Sequence, residues 1–224
     1  MKVYITTRFS IFDTKYNGFR IKTKNDTETY KKKLFCEKRL NQKFALFETM
    51  TLQSILNQTY TNWEWNIFTS VYLPQKYKDR LLNLTQDNDK IKIHFIASFK
   101  EFKLASLDKE IDYCTVRIDD DDGLNPDFFQ NLQQYKEKKN IVVLHSNGIC
   151  FKLKNGKVVL GESRTWNTSS VGTCAIGFDV YSCGNHNSIH KRYTVINDET
   201  PDMWYLTYSK YCDSGRRKFP SEKI

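Results

Sequence analysis

Four consecutive carboxylates, Asp119-Asp120-Asp121-Asp122, directly follow the apolar stretch Tyr113–Ile118 and precede Gly123-Leu124. Like charges this close repel, so the fold must offset them. A divalent cation would do so, because hard cations take carboxylate oxygen. The place suits a ligand as well: in open α/β sheets, ligands bind just beyond the carboxyl ends of the strands. The same residues also read as an exposed acidic turn, with Asp122 capping a helix opened by Asn125-Pro126. The buried-looking strand in front of the run favours the metal site.

The elements that must position this run follow from periodicity. Lys2–Thr7 alternates Val3 and Ile5 with polar neighbours and reads as a strand. Ile11–Tyr30 is polar, with a turn at Asn17-Gly18, and a helical piece follows over Tyr30–Leu40. Asn41–Gln58 is the clearest helix: Phe44, Phe47, Met50 and Ile55 fall near one stripe, while Gln42, Lys43, Glu48 and Gln53 can face water. Trp65–Val71, Ile91–Ile96 and Tyr113–Ile118 read as strands, with a helix over Gln75–Leu84. Strands separated by helices imply βαβ units and a mostly parallel sheet. Further on, Ile141–Leu144, Ile149–Leu153 and Cys174–Tyr181 are strand-like. Asn155-Gly156, between two apolar runs, signals a hairpin. Pro201–Tyr211, carrying Met203, Trp204 and Leu206, closes as a helix.

The whole is 224 residues, which predicts a single domain with a sizeable core. At 39% hydrophobic and 14% aromatic residues, global disorder is excluded. Lys+Arg 35 against Asp+Glu 26 gives +9, a balance that suits a phosphate-rich partner: nucleic acid, an anionic membrane surface or a phosphorylated small molecule. The six cysteines form no CxxC pair, so zinc-ribbon spacing is absent. No apolar run reaches the roughly 20 residues that span a bilayer, and Thr and Arg break up Met1–Arg8 before a signal stretch can form. A cytosolic protein is expected, with room for peripheral membrane contact.

Asp119-x-Asp121-Asp122 after a strand resembles the DxD signature of GT-A glycosyltransferases. The stretch Phe47–Thr59 followed by Trp63-Glu64-Trp65 is similar to the first helix of those enzymes leading into their second strand. A narrower resemblance is to the rhamnosyltransferase family. It rests on Thr7-Arg8-Phe9-Ser10, on Arg39 ahead of Leu46-Phe47-Glu48, on Leu73-Pro74 and on Arg117 to Asp122, and it covers about the first 130 residues. The resemblance implies a GT-A fold, a mostly parallel central sheet with helices on both faces and a small C-terminal hairpin and helix extension. Residues 1–130 would form the nucleotide-sugar half and 131–224 the acceptor half of one domain. It implies transfer of a sugar from a nucleotide-diphosphate donor to a glycan or other hydroxyl acceptor. Asp121 would bind Mn²⁺ or Mg²⁺ and Asp119 the metal or the ribose. Thr6, Arg8, Arg117 and Asp120 would line the nucleotide, and His190 would be a late metal ligand, sharing a face with His186 if their stretch is helical.

Growing charge on the departing diphosphate calls for a Lewis acid, and an inverting transfer calls for a base to take the acceptor's proton. The acidic segment Asn197–Asp202 supplies the candidates, Asp198 first and Glu199 second. Both also suit the cap and first turn of the expected last helix. Two other readings meet an obstacle. A nucleic-acid-binding module suits the charge, but four carboxylates at the ligand edge oppose it. A nucleotidyltransferase usually carries a glycine-rich loop after its first strand, where this chain has Thr6-Thr7-Arg8-Phe9-Ser10.

Overall fold

The computed structural model describes residues 1–15, 26–102, 107, 112–154, 157–167, 169–183 and 186–208. Along the chain run β1 (Lys2–Phe9), α1 (Thr27–Leu34), α2 (Glu37–Leu46), a π-helical turn (Phe47–Thr51), α3 (Leu52–Leu56), β2 (Trp63–Ser70), α4 (Gln75–Thr85) and β3 (Ile91–Ile96). Next come β4 (Tyr113–Arg117), β5 (Gly123–Leu124), α5 (Phe128–Leu132), β6 (Ile141–His145), β7 (Asn147–Lys154), β8 (Lys157–Thr165), β9 (Thr173–Ile176), β10 (Thr194–Asp198) and β11 (Trp204–Tyr208).

Seven strands form one sheet in the order β10-β6-β9-β4-β1-β2-β3. All pairings are parallel except those of β9, which runs antiparallel between β4 and β6. The carboxyl ends of β1, β4, β6 and β10 therefore share one edge. A second sheet, β5-β11-β7-β8, is welded to that edge, because β5 directly follows the acidic run and β7 follows β6.

The faces of the large sheet differ. On one, Val3, Ile5, Trp65, Cys114, Val116, Val143 and Cys174 meet Leu40, Phe44 and Phe47 of the α2 region, Tyr77 and Leu81 of α4, and Phe128, Phe129 and Leu132 of α5 in one core. On the other, Val142, Leu144 and Ala175 are covered by the 3-10 turns Val180–Cys183 and His186–Lys191. Helices were expected on both faces; among the described residues, the α-helices that join the main core lie on one. No described helix is long and apolar enough to cross a membrane.

The segment expected as a closing helix, Pro201–Tyr211, is instead strand β11 over its described part. Its WYLTY composition is aromatic and Thr-bearing, which suits a pleated surface. Asp202, at φ 54°, turns the chain just before it. The Cys174–Tyr181 strand is shorter than expected, ending at Ile176 before Gly177 at φ 82°. The hairpin expected at Asn155-Gly156 is present as the antiparallel β7–β8 pair, its tip lying outside the described residues. The long helix begins at Glu37 and contains the π turn, and Lys43 on it is buried rather than water-facing.

Candidate active site

The acidic run leaves the end of β4 and is gripped from both faces of the sheet. In β1, Thr6 pairs with Arg117, and Arg8 lies two residues further on. Its alternation with Val3 and Ile5 puts Arg8 on the face away from the helices. There the Arg8 Nη2 donates to Asp119 Oδ1 at 3.1 Å, and Arg117 Nη2 reaches both Asp119 oxygens at 3.4 Å. Both guanidiniums flank the ring of Tyr181, with Cζ to centroid distances of 5.5 and 5.6 Å. Burial pushes the Asp119 carboxyl up, but Arg117 and Arg8 together outweigh it and hold it well below the usual carboxylate range. Burial likewise pushes the Tyr181 phenol up to about 12. Among the ion-paired carboxylates of the acidic run Asp119 is the most open, its side chain 34% exposed.

From the helical face comes Lys43. Its ammonium donates to Asp120 Oδ1 at 2.6 Å and to Asp121 Oδ2 at 3.1 Å, with the lysine side chain 1% exposed. The signal for it is present in the sequence: Lys43 sits at i+3 from Leu40 on the stripe continued by Phe44 and Phe47. A lone cation on an apolar stripe has to find an anion. The turn is pinned further by Thr51 Oγ1 on the Asp122 carbonyl at 2.7 Å and by Thr207 Oγ1 on the Asp121 carbonyl at 2.6 Å. The Thr207 N–H also reaches Asp122 Oδ1 at 3.4 Å. Burial, with Asp121 and Asp119 nearby, pushes the Asp122 carboxyl well up. The π turn carries Thr51 to this contact, and single π turns inside α-helices are frequent at functional sites.

Thr6 is fully buried, its carbonyl accepting from the Ile118 N–H at 3.2 Å. The structure thus brings Arg8, Arg117, Asp119, Asp120 and Asp121 together, with Thr6 just inside the sheet. It adds Lys43 and Tyr181, which sequence reasoning missed. His190 is exposed, in a turn leading into the start of β10, the sheet edge opposite the acidic run. That stretch is a 3-10 turn, in which residues three apart, not four, share a face.

Asp198 ends β10 at the same edge as the acidic run but three strand steps from β4, about 14 Å at the usual inter-strand spacing. It is buried in its own network. Oδ1 accepts from the Thr200 N–H and hydroxyl at 2.8 and 2.6 Å, and Oδ2 accepts from the Tyr135 hydroxyl at 2.8 Å and Gln134 Nε2 at 3.3 Å. Burial pushes its carboxyl up, yet these hydrogen bonds win and hold it low. Glu199 beside it is exposed, its backbone carbonyl accepting from Asn147 Nδ2 at 2.6 Å. The helix cap expected of Asp198 is replaced by a turn cap on Thr200.

His145, fully buried at the end of β6, faces Asn131 Oδ1 at 3.0 Å and Asp198 Oδ2 at 3.5 Å. Both are acceptors, which assigns the proton to Nε2. Burial outweighs the nearby Asp198 and pushes this imidazole down to about 4. The unfolded chain takes the proton near pH 6.5 and the native protein excludes it, so stability falls as pH drops from about 6.5 to about 4. The loss ascribed to His145 should total roughly 3 kcal/mol. Asp122 and Asp179, whose carboxyls are pushed up, act in the opposite sense. The measurement is therefore the difference between wild type and His145→Gln in melting temperature against pH. Parallel profiles would contradict a neutral buried imidazole.

The donors at the acidic turn are all hard oxygens, the type that Mn²⁺ or Mg²⁺ takes. Among the described residues no three His, Cys, Asp or Glu side chains converge as a metal site. A cation here would complete its shell with oxygens from a ligand or water.

A family model described as "Putative rhamnosyl transferase" matches residues 2–221. No curated protein matches the sequence. Among solved structures, TarS 1-349 from S. aureus in complex with UDP-GlcNAc is similar at TM-score 0.50 and 11% identity, covering 100% of this chain and 61% of that one. The same TarS fragment in complex with UDP gives TM-score 0.50 and 11% identity, covering 94% and 61%. This chain therefore spans less than two thirds of those relatives, and the likeness is one of fold, that of the GT-A glycosyltransferases. Nearly every residue falls within the family match, and the fold agrees with it: the chain belongs to the rhamnosyl transferase family.

Proposed function

We propose that this chain transfers a sugar, rhamnose in keeping with its family, from a nucleoside-diphosphate donor to a glycan or other hydroxyl acceptor, in the cytosol and with a divalent metal. The observation that carries this reading is the pair of guanidiniums, Arg8 and Arg117, converging on the half-open Asp119 at the carboxyl edge of β1 and β4. That edge is where α/β sheets take their ligands, and two planar cations with one carboxylate suit a diphosphate next to a cation. The binding of UDP and UDP-GlcNAc by TarS, which shares the fold, supports a nucleotide sugar as donor.

In this reading, Arg8 and Arg117 bind the diphosphate and stabilise the charge that grows as the sugar–phosphate bond breaks. Asp119 and Asp121 would hold Mn²⁺ or Mg²⁺, which would supply Lewis acidity against the charge growing on the diphosphate. The Tyr181 ring lies against both guanidiniums and helps to orient them. The acceptor's proton goes to the corner at the end of β10. Asp198 carries the charge there but has both oxygens engaged, and the exposed Glu199 is the freer carboxylate.

The test is a donor screen with Mn²⁺, reading released nucleoside diphosphate in the presence of hydroxyl acceptors. Turnover with at least one nucleotide sugar is expected; none, together with no binding of UDP, would sink the proposal. In the same assay Glu199→Gln should lower turnover by roughly 10²–10⁴ if Glu199 is the base. An active Glu199→Gln beside a folded but inactive Asp198→Asn returns the role to Asp198.

A further inference from the structure

We propose that Lys43 keeps the acidic turn from taking a divalent cation on its own, so that the metal enters only together with a nucleoside diphosphate; this rests on the nucleotide-site reading above. Lys43 is a buried cation at 2.6 Å from Asp120 Oδ1 and 3.1 Å from Asp121 Oδ2. Asp119, the other expected ligand, is already paired with Arg8 at 3.1 Å and Arg117 at 3.4 Å. Three cations from three separate strands and helices thus meet three of the four carboxylates. A bare divalent ion would have to displace or crowd one of them, and among the described residues no third protein ligand converges to repay that cost. A diphosphate changes the balance. It brings the missing oxygens and negative charge, and it offers the two guanidiniums a new partner, which releases Asp119 toward the metal.

Lys43 is on this account a positioning residue: it fixes Asp121 and sets the affinity of the empty site without touching substrate. Such coupling is reciprocal, so the nucleotide must tighten the metal by the factor by which the metal tightens the nucleotide.

The experiment titrates the full chain with Mn²⁺ alone and with Mn²⁺ plus UDP, following free Mn²⁺ by electron paramagnetic resonance and UDP by calorimetry. In the wild type, UDP should tighten Mn²⁺ by at least about tenfold, and Mn²⁺ should tighten UDP equally. Lys43→Met, of similar length without the charge, should bind Mn²⁺ alone at least about tenfold more tightly than wild type. Lys43→Arg, which keeps the charge, should stay weak. Equal Mn²⁺ affinity with and without UDP in the wild type overturns the inference, and that comparison stands even if Lys43→Met fails to fold. A folded Lys43→Met no tighter than wild type overturns it as well. If UDP fails to bind the wild type whether or not Mn²⁺ is present, the nucleotide-site reading falls and the inference with it; tight binding of Mn²⁺ alone to the wild type removes only the inference.

Discussion

Asp121→Asn is expected to lower sugar transfer by at least about 10²–10³ while the protein stays folded. Asp121 spends Oδ2 on Lys43, and its backbone carbonyl is held independently by Thr207 Oγ1 at 2.6 Å. An amide of the same shape keeps an oxygen for the lysine and leaves the turn where it is. Lys43 also retains Asp120 at 2.6 Å, so the substitution does not strand a buried cation, which would be strongly destabilising. What is lost is the charge that would hold the metal against the departing diphosphate. The measurement pairs released nucleoside diphosphate with a thermal melt. Turnover near wild type, surviving EDTA too, would remove Asp121 and the metal from the mechanism. A melt that collapses would instead mean that the carboxylate serves the fold.

A large effect on stability belongs to a residue outside the acidic turn and its three cations. Gly148 of β7 pairs with Trp204 of β11, and a Cβ there would overlap the indole carbons Cδ2 and Cε3 and the Trp204 carbonyl oxygen. Neither can give way. The indole is fully buried, with its Nε1 donating to the His145 carbonyl at 2.8 Å, and the carbonyl belongs to the strand itself. Overpacking of a close-packed site costs about 1–3 kcal/mol and occasionally more; a clash with ring and backbone together belongs at the upper end. For a chain of this size that is a fall in melting temperature of about 6–12 °C. A melt within about 2 °C of wild type would show that β7 and β11 can part without cost. Gly161→Ala is the control, because the ring carbons of Phe151 at 3.1–3.2 Å can tilt away.

Much of the fold was legible because it is locally encoded. β1 to β4 and α4 announce themselves by alternation, by Leu73-Pro74 and by helical spacing, and the acidic run follows a strand end that any reading of the sequence finds. Arg8 and Arg117 were legible for the same reason, being fixed by their places on neighbouring strands. What escaped was non-local. Lys43 meets its carboxylates 77 and 78 residues away, so although its place beside the apolar stripe calls for an anion, nothing local to the helix names which one. Tyr181 acts from a turn beyond a strand that ends five residues earlier. β11 has the spacing of apolar residues that also suits a short helix, and only its partners β5 and β7 decide the matter. Tertiary pairing overrides local preference most readily in such short aromatic segments.

The place of Thr207 has a consequence for the order in which the molecule can assemble. The residue that ties down Asp121 and Asp122 lies 86 and 85 positions after them, on a strand that must dock between β5 and β7. Contacts closing so long a loop form late and slowly, because the chain loses its freedom before the contact repays it. The half of the sheet built from β1, β2 and β3 can form early from sequence neighbours. The acidic turn after β4 reaches its final shape only when the last described strand arrives. A chain interrupted before Trp204 would therefore carry every charged residue of the nucleotide site and still lack its geometry, and competence to bind ligand would report on completion of the fold.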